Sequence, residues 1–324
     1  MRTIRQSLRV ALATLLAGAA GFSGAQTYPV KPVRVVVPFP PGAGADIVTR
    51  LITPRLSEAL GQQFVVDNRP GAAGHIGGEV VAHSPADGYT LLSTPASIVI
   101  SYSLYKKLTY HLERDFEPIG PMASVPFILV VHPSLPVKTV KELIALTKRK
   151  PGELLFASTG NGGTPHLAME VLKLQTHIDV VHVPYKGTPP AVTDLIAGQV
   201  QMMFANSLSV LPQVKSGRLR AIAISSAKRS VATPEIPTVA ESGVPGYEAI
   251  TWFGMLAPTG TPREIITRLN AEITRAVNSR SVHERLIAQG ADPLTMTPEQ
   301  FKKFFLGEIA RWAKTVKAAG VTLD

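Results

Sequence analysis

Apolar residues fall along this chain in short unbroken runs, each followed by a glycine- and proline-rich stretch and then by an amphipathic segment. RVVVPF (34–39) leads through PPGAGAD to apolar positions at helical spacing over 46–60. FVVDN (64–68) leads through RPGAAGH to a second helix over 75–83, and YTLLS (89–93) leads through TPAS to a helical stretch ending near Lys107. After FILVVHP (127–133), Thr139 and Glu142 have the spacing of a capping box, which predicts a helix to about Lys148. LLFAST (154–159), VVHVPYK (180–186), QMMFAN (201–206) and LRAIAISS (219–226) continue the strands. Helices are expected between them at HLAMEVLKLQ, AVTDLIAG and LSVLPQVKSG. Strands alternating with helices predict an α/β fold with mainly parallel sheets. The strand runs are apolar throughout, as when helices cover both faces.

Beyond TWFGMLAP (251–258) the pattern turns helical, and no further strand is expected. Thr261-Pro262-Arg263-Glu264 reads as a capped start before Ile265, Ile266, Leu269, Ile273 and Val277. Thr297-Pro298-Glu299-Gln300 repeats the signal before Phe301, Phe305, Ile309, Trp312 and Val316, aromatics that read as core.

Residues 1–25 stand apart. Arg2, Arg5 and Arg9 precede the apolar stretch Val10–Phe22, and Ser23-Gly24-Ala25 offers a small-residue cleavage site. This is the pattern of a secretory leader cut near Ala25, and the stretch is short for a membrane span. The sequence has no cysteine, which excludes disulfides, thiolate metal sites and a cysteine nucleophile. An exported, cysteine-free chain of 324 residues fits a bacterial periplasm and a large ordinary core. The net charge is +10, or +7 without the three leader arginines, and it is scattered. With no basic stripe interleaved with aromatics, nucleic acid is not an expected partner.

The loops carry the chemistry. A glycine-rich turn between the carboxyl end of a parallel strand and a helix N-terminus presents unpaired backbone N–H groups and the positive end of the helix dipole. Such a loop binds a small anion through main chain, and PPGAGAD has neither lysine nor arginine. ASTGNGGTPHLAME (157–170) repeats the device, adding the neutral donors Ser158, Thr159, Asn161 and Thr164. Two such loops more than a hundred residues apart fit two lobes holding one ligand between them. Asp46, in the first helical turn, reads primarily as a cap for a loop N–H. His166, just inside the second helix, is the histidine best placed to reach a cleft.

Competing chemistries find little footing. Gly42-Ala43-Gly44 with Asp67 downstream approaches a dinucleotide fingerprint, but Ile47 occupies the third glycine position. Neither G-x-S-x-G nor H-E-x-x-H occurs, and the histidines do not cluster with acids at ligand spacing. No catalytic residue, metal or cofactor is therefore expected. His177 and His182, five residues apart around a short strand, are expected on opposite faces.

With these motifs in place, the chain resembles the Bug family, the extracytoplasmic solute receptors of tripartite tricarboxylate transporters. The resemblance rests on YPVKPVRVVVPFPPGAGAD, VVDNRPGAAGHIGGEVVAHSPADGYTLL, STGNGGTPHLAME, VPYKGTPPAVTDLIAGQVQMMF, SGRLRAIAISSAKR and IPTVAESGVPGYEAITWFGMLAP, and spans essentially the whole mature chain. It implies a two-lobed periplasmic binding protein of the type II, Venus-flytrap kind, each lobe a mainly parallel sheet flanked by helices. One lobe would comprise 26–124 plus 250–324 and the other 125–249, with crossings near Ser124–Phe127 and Tyr247–Trp252. It also implies a small carboxylate ligand and membrane permease subunits as partner, with a monomer as the default state. The ligand loops would be Phe39 with Pro41, Gly42, Ala43, Gly44, Ala45 and Asp46, and Ser158, Thr159, Gly160, Asn161, Gly162, Gly163 and Thr164 with His166. Ser93, Ser97, Tyr185 and Asn206 follow strand carboxyl ends and should border the same cleft. Family members often carry an acid in the stretch reading MMFAN here, where this chain has Ala205, which argues against a ligand whose amino group needs that acid. A periplasmic sensor would share this architecture, and a secreted hydrolase is the remaining enzymatic alternative.

Overall fold

The computed structural model describes residues 28–105, 107–185 and 187–321, apart from the Leu208 side chain; the expected leader lies outside them. The strands are β1 Val33–Val37, β2 Phe64–Asn68, β3 Thr90–Pro95, β4 Phe116–Val131, β5 Leu155–Ser158, β6 Val181–Pro184, β7 Met202–Asn206, β8 Arg220–Ile224, β9 Ile250–Pro258 and β10 Asp292–Pro293. The helices are α1 Gly44–Leu60, α2 His75–Ala82, α3 Ser97–Tyr102, α4 Leu112–Asp115, α5 Val140–Arg149, α6 Thr164–Thr176, α7 Thr188–Ile196, α8 Ser207–Lys215, α9 Arg263–Asn278, α10 Arg280–Ala288 and α11 Pro298–Ala319.

The strands form one curled sheet in the order β2-β1-β3-β9-β4-β7-β5-β6, with β8 and β10 also paired to β4. Its two ends are parallel: β1 runs with β2 and β3, and β5 runs with β6 and β7. The middle is antiparallel, because β9 returns between β3 and β4, and β4 pairs antiparallel with β7, β8 and β10. The mainly parallel sheets expected from the sequence are thus parallel ends on a mixed centre. β4 is the reason. Its 16 residues pair with β9 from Phe116↔Pro258 to Pro126↔Ile250, then with β7 from Phe127↔Asn206 onward. Pro118, Pro121 and Pro126 hide its first two-thirds from a sequence reading, since proline withdraws a ladder donor. Register shifts between Pro118 and Gly120 and between Pro121 and Ala123 accommodate the first two.

The buried side chains change partners where the chain crosses. Val125 packs in a cluster with Val35, Ile52, Leu269 and Ile273, whereas Phe127 packs with Leu143, Phe156, Met169 and Phe204. On the return, Ala249 belongs to the second cluster and Trp252 to a third, with Leu92, Phe301 and Trp312. The stripe Ile266, Leu269, Ile273 and Val277 of α9 is buried as its spacing requires, and each such side chain contributes about 1.5–3 kcal/mol relative to exposure.

Helix starts follow the sequence in two cases and depart from it in one. The capping boxes Thr139/Glu142 and Thr297/Gln300 both form. Thr261, expected to cap α9, instead donates its hydroxyl to the Pro258 carbonyl, and the helix begins one residue later, after Pro262.

At the crossing, the carboxylate of Glu308 is buried on α11 and accepts the indole N–H groups of Trp252 and Trp312, each at 3.1 Å. Arg311 pairs with its other oxygen at 2.7 Å and donates to the Glu248 carbonyl at 2.9 Å. Removing the acceptor would leave two buried indole N–H groups unpaired and the Arg311 guanidinium without its carboxylate. Glu308→Ala is expected to lower the unfolding free energy by about 3 kcal/mol in urea titration, while Leu306→Ala, on the exposed side of the same helix, changes it by less than about 0.5 kcal/mol.

Candidate functional site

β1 and β5 each end at a glycine loop that opens a helix, and the two loops face one another across a cavity of about 230 Å³. The first loop contributes Phe39, Ala43, Gly44 and Ala45 to its wall, and the second contributes Thr159, Thr164 and Pro165. The floor comes from the central strands: Pro95 of β3, Phe127 of β4, Met203, Ala205 and Asn206 of β7, and Thr251 and Phe253 of β9. Ser97 and Thr188 complete it. Among the described residues, no lining side chain is ionisable.

Neither of the helices opened by the two glycine loops is capped by a side chain. The N-cap of α1 is Ala43 and that of α6 is Gly163, both extended and without a side-chain acceptor. Their first-turn N–H groups are left to whatever occupies the cavity. The hydroxyls of Ser97, Thr159, Thr164, Thr188 and Thr251 make no hydrogen bond to protein among the described residues. Backbone approach is close at Gly44, where an added Cβ would stand 3.0 Å from Cζ of Phe253.

The first loop is shaped from beneath. Asp46 is buried and accepts the Gly42 N–H at 2.9 Å, the Asn68 amide at 3.0 Å and Arg50 Nε at 2.9 Å. Burial pushes its pKa up, but these three donors and the Arg50 charge more than offset this and hold it below its ordinary value. The Asn68 amide also donates to the Phe39 carbonyl at 2.9 Å, tying β2 to the loop. Gly42 takes φ +80°, which a side chain would strain, and Pro41 and Gly42 lie exposed outside the cavity wall.

The second loop is shaped by histidines. Gly160 (φ +130°) and Gly162 (φ +70°) adopt backbone reserved for glycine. The Gly162 N–H donates to His166 Nδ1 at 3.1 Å, and the Gly160 N–H donates to Ser158 Oγ at 3.1 Å. Ser158 Oγ lies 2.6 Å from His182 Nε2, and the His166 and His182 rings stack with centroids 3.8 Å apart and planes 9° from parallel. Burial pushes both imidazoles down to about 4, helped at His166 by His182 and Lys173 and at His182 by Lys173.

Of the residues expected at the site, Phe39, Ala43, Gly44, Ala45, Ser97, Thr159, Thr164 and Asn206 line the cavity. Ser93 is buried under α1, its hydroxyl 2.6 Å from that of Thr49. Ser158 and His166 sit behind the second loop, Asn161 is exposed, and Gly160, Gly162 and Gly163 set the loop's path without facing the cavity. Tyr185 turns its hydroxyl to Asp194 at 2.7 Å, outside the wall. Apart from Asn206, the sequence reading missed the strand-borne wall. Met203 and Ala205 share one face of β7 while Met202 and Phe204 pack in the other cluster, so the period-two signal is present. It does not say which apolar face meets a ligand. His182 was missed as well: its ring reaches the loop from a neighbouring strand.

The chain belongs to the tripartite tricarboxylate transporter receptor family, TctC, whose model matches residues 48–321. This is a family of periplasmic solute-binding receptors, not of enzymes. BugT of Bordetella pertussis is 42% identical over 309 residues, covering 95% of each chain. An R. palustris protein solved with adipate is 40% identical with a TM-score of 0.77, covering 91% of this chain and 99% of that one. MatC of Rhodopseudomonas palustris, solved with malate, is 32% identical with a TM-score of 0.72, covering 89% and 100%.

Buried histidines give the fold a definite pH response. His75, held between Tyr110 at 2.7 Å and Ser101 at 2.9 Å, is also pushed down to about 4 by burial. Unfolded histidine titrates near 6.5, so between that pH and about 4 the unfolded chain binds protons that the folded chain refuses. Stability is complete above pH 6.5 and is lost as pH falls toward 4. The urea midpoint should therefore drop steadily from pH 7 to 4.5, and a constant midpoint over that range would contradict the burial of these rings as neutral groups.

Proposed function

We propose that this protein is an extracytoplasmic receptor that closes two lobes, 26–124 plus 250–324 and 125–249, on a small carboxylate. In this reading it is exported with its leader cut near Ala25, acts as a monomer and delivers the ligand to permease subunits of a tripartite transporter. The observation that carries it is the convergence of two uncapped helix N-termini on one cavity whose wall, among the described residues, has no ionisable side chain. An anion there gains the partial positive charge of both helices without competing for a side-chain counterion. The carboxylates bound by the adipate- and malate-containing relatives support the same class.

The magnitudes are those of a receptor. A charge-assisted hydrogen bond contributes roughly 1.5–3 kcal/mol. Four to six of them, less association and closure costs, leave about −8 kcal/mol, a micromolar affinity. Ala205 on the floor leaves a ligand ammonium without a carboxylate partner among the described residues, which favours acids lacking an amino group.

Thermal melting of the mature protein, refolded free of co-purified ligand, against di-, tri-, amino and aromatic carboxylic acids tests the reading. A ligand at ~1,000 times its Kd adds about 4 kcal/mol and raises Tm visibly. Gly44→Val, which drives a side chain toward Phe253 in the binding wall, should abolish the shift. Doubling ionic strength should leave Kd within about twofold, since buried backbone donors are poorly screened. No shift with any of these acids would overturn the carboxylate reading.

A further inference from the structure

The second glycine loop reaches the cavity at Thr159 and Thr164, but its path is dictated by groups on the far side. The Gly162 N–H needs an acceptor, and His166 Nδ1 supplies it, which places the ring's proton on Nε2. That nitrogen faces Glu170 Oε1 at 3.7 Å, and Glu170 is itself paired with Lys173 at 2.8 Å. The Gly160 N–H is accepted by Ser158 Oγ, which His182 Nε2 holds at 2.6 Å. The two imidazoles are in van der Waals contact face to face, and Phe156 stacks on His182 with centroids 4.8 Å apart. Each unusual glycine is thus anchored to one ring, directly at Gly162 and through Ser158 at Gly160, and the stack ties the two anchors together.

We propose that the His166–His182 stack, as a neutral pair, is the positioning element of the second glycine loop and sets ligand affinity without touching ligand. This rests on the receptor reading above. A proton on His166 Nδ1 would set donor against donor at Gly162, and two stacked imidazolium rings would repel. Glu170 offsets little of this while engaged with Lys173, the other charged group of α6 beside the rings. The Gly162 contact therefore requires His166 to be neutral, and the stack is uncharged when His182 is neutral as well. Leu104 packs against Gly162 from the other half of the molecule, so the loop is held in register with both halves.

The test uses the full mature chain with adipate as probe. His166→Asn keeps an acceptor where Nδ1 stands, whereas His166→Leu fills the space without one; His182→Gln and His182→Leu form the matching pair at Ser158. Calorimetry should show the Asn and Gln variants within about threefold of wild-type affinity and the Leu variants weakened about tenfold, the loss of roughly one hydrogen bond. In ligand-free protein, the Gly162 amide resonance should move in His166→Leu but not in His166→Asn, and the Gly160 amide should respond likewise at His182. Wild-type affinity should be flat from pH 8 to about 6, the range in which adipate stays largely ionised while an unperturbed imidazole would already titrate. Leu variants that bind like wild type, or Asn and Leu variants that weaken alike, would overturn the proposal. If wild-type protein gives no heat with adipate, the receptor reading fails for that acid alone. The Gly160 and Gly162 resonances then still decide whether the stack positions the loop.

Discussion

A helix that starts without a cap leaves its first backbone N–H groups in need of an acceptor, and the architecture around the cavity follows from two such starts. The chain is able to cap helices: α5 and α11 both begin with complete capping boxes. At α1 and α6 it places Ala43 and Gly163 instead. Those N–H groups are left open at the carboxyl ends of β1 and β5, where a sheet of this kind meets its ligand. Gly44 serves that exposure, since a Cβ there would stand only 3.0 Å from the Phe253 ring.

Open donors make a loop difficult to hold, and each loop is braced from the side away from the cavity. The brace of the first is a charged network, Asp46 with Gly42, Asn68 and Arg50. Its negative charge would oppose an anion in the cavity, and Arg50 beside it reduces that cost. The second loop is braced by imidazoles that, when neutral, add no net charge of their own. Among the described residues the cavity wall accordingly carries no ionisable side chain, while Asp46, Arg50, His166 and His182 stand one layer back. An anion bound there depends on fixed dipoles and desolvated hydrogen bonds, the arrangement in which affinity is least sensitive to salt.

Much of this was legible in the sequence because the relevant signals are local. Continuous apolar runs marked β1, β3, β5 and β7, glycine clusters marked both loops, and the spacing of Ile266, Leu269, Ile273 and Val277 marked the buried face of α9. What escaped depends on long-range pairing. The first part of β4 carries three prolines and is a strand only because β9 returns beside it. His182 braces the second loop only because β6 pairs in parallel with β5, bringing it next to Phe156. The floor residues Phe127, Met203 and Phe253 were visible as apolar strand positions, but a chain read alone does not say which of two buried faces borders a ligand. Even Thr261, with a good capping sequence, was diverted to the Pro258 carbonyl by the turn before it.

On the proposed reading, the crossing is where this receptor bends. β4 and β9 stay hydrogen-bonded as far as Pro126↔Ile250, and Glu308 clamps Trp252, on β9, to α11. Immediately beyond, Phe127 pairs with Asn206 and Ala249 donates to the Ser225 carbonyl, both within the other half. The strand partner of β4 thus changes after residue 126, and on the return strand the backbone partner changes between 249 and 250. Closure on the proposed reading concentrates its dihedral changes in these few residues, as hinges do. Phe127 and Thr251, which flank the two crossings, are also part of the cavity floor. On that reading a ligand resting on them touches the hinge itself, so its binding energy acts where the two halves are joined.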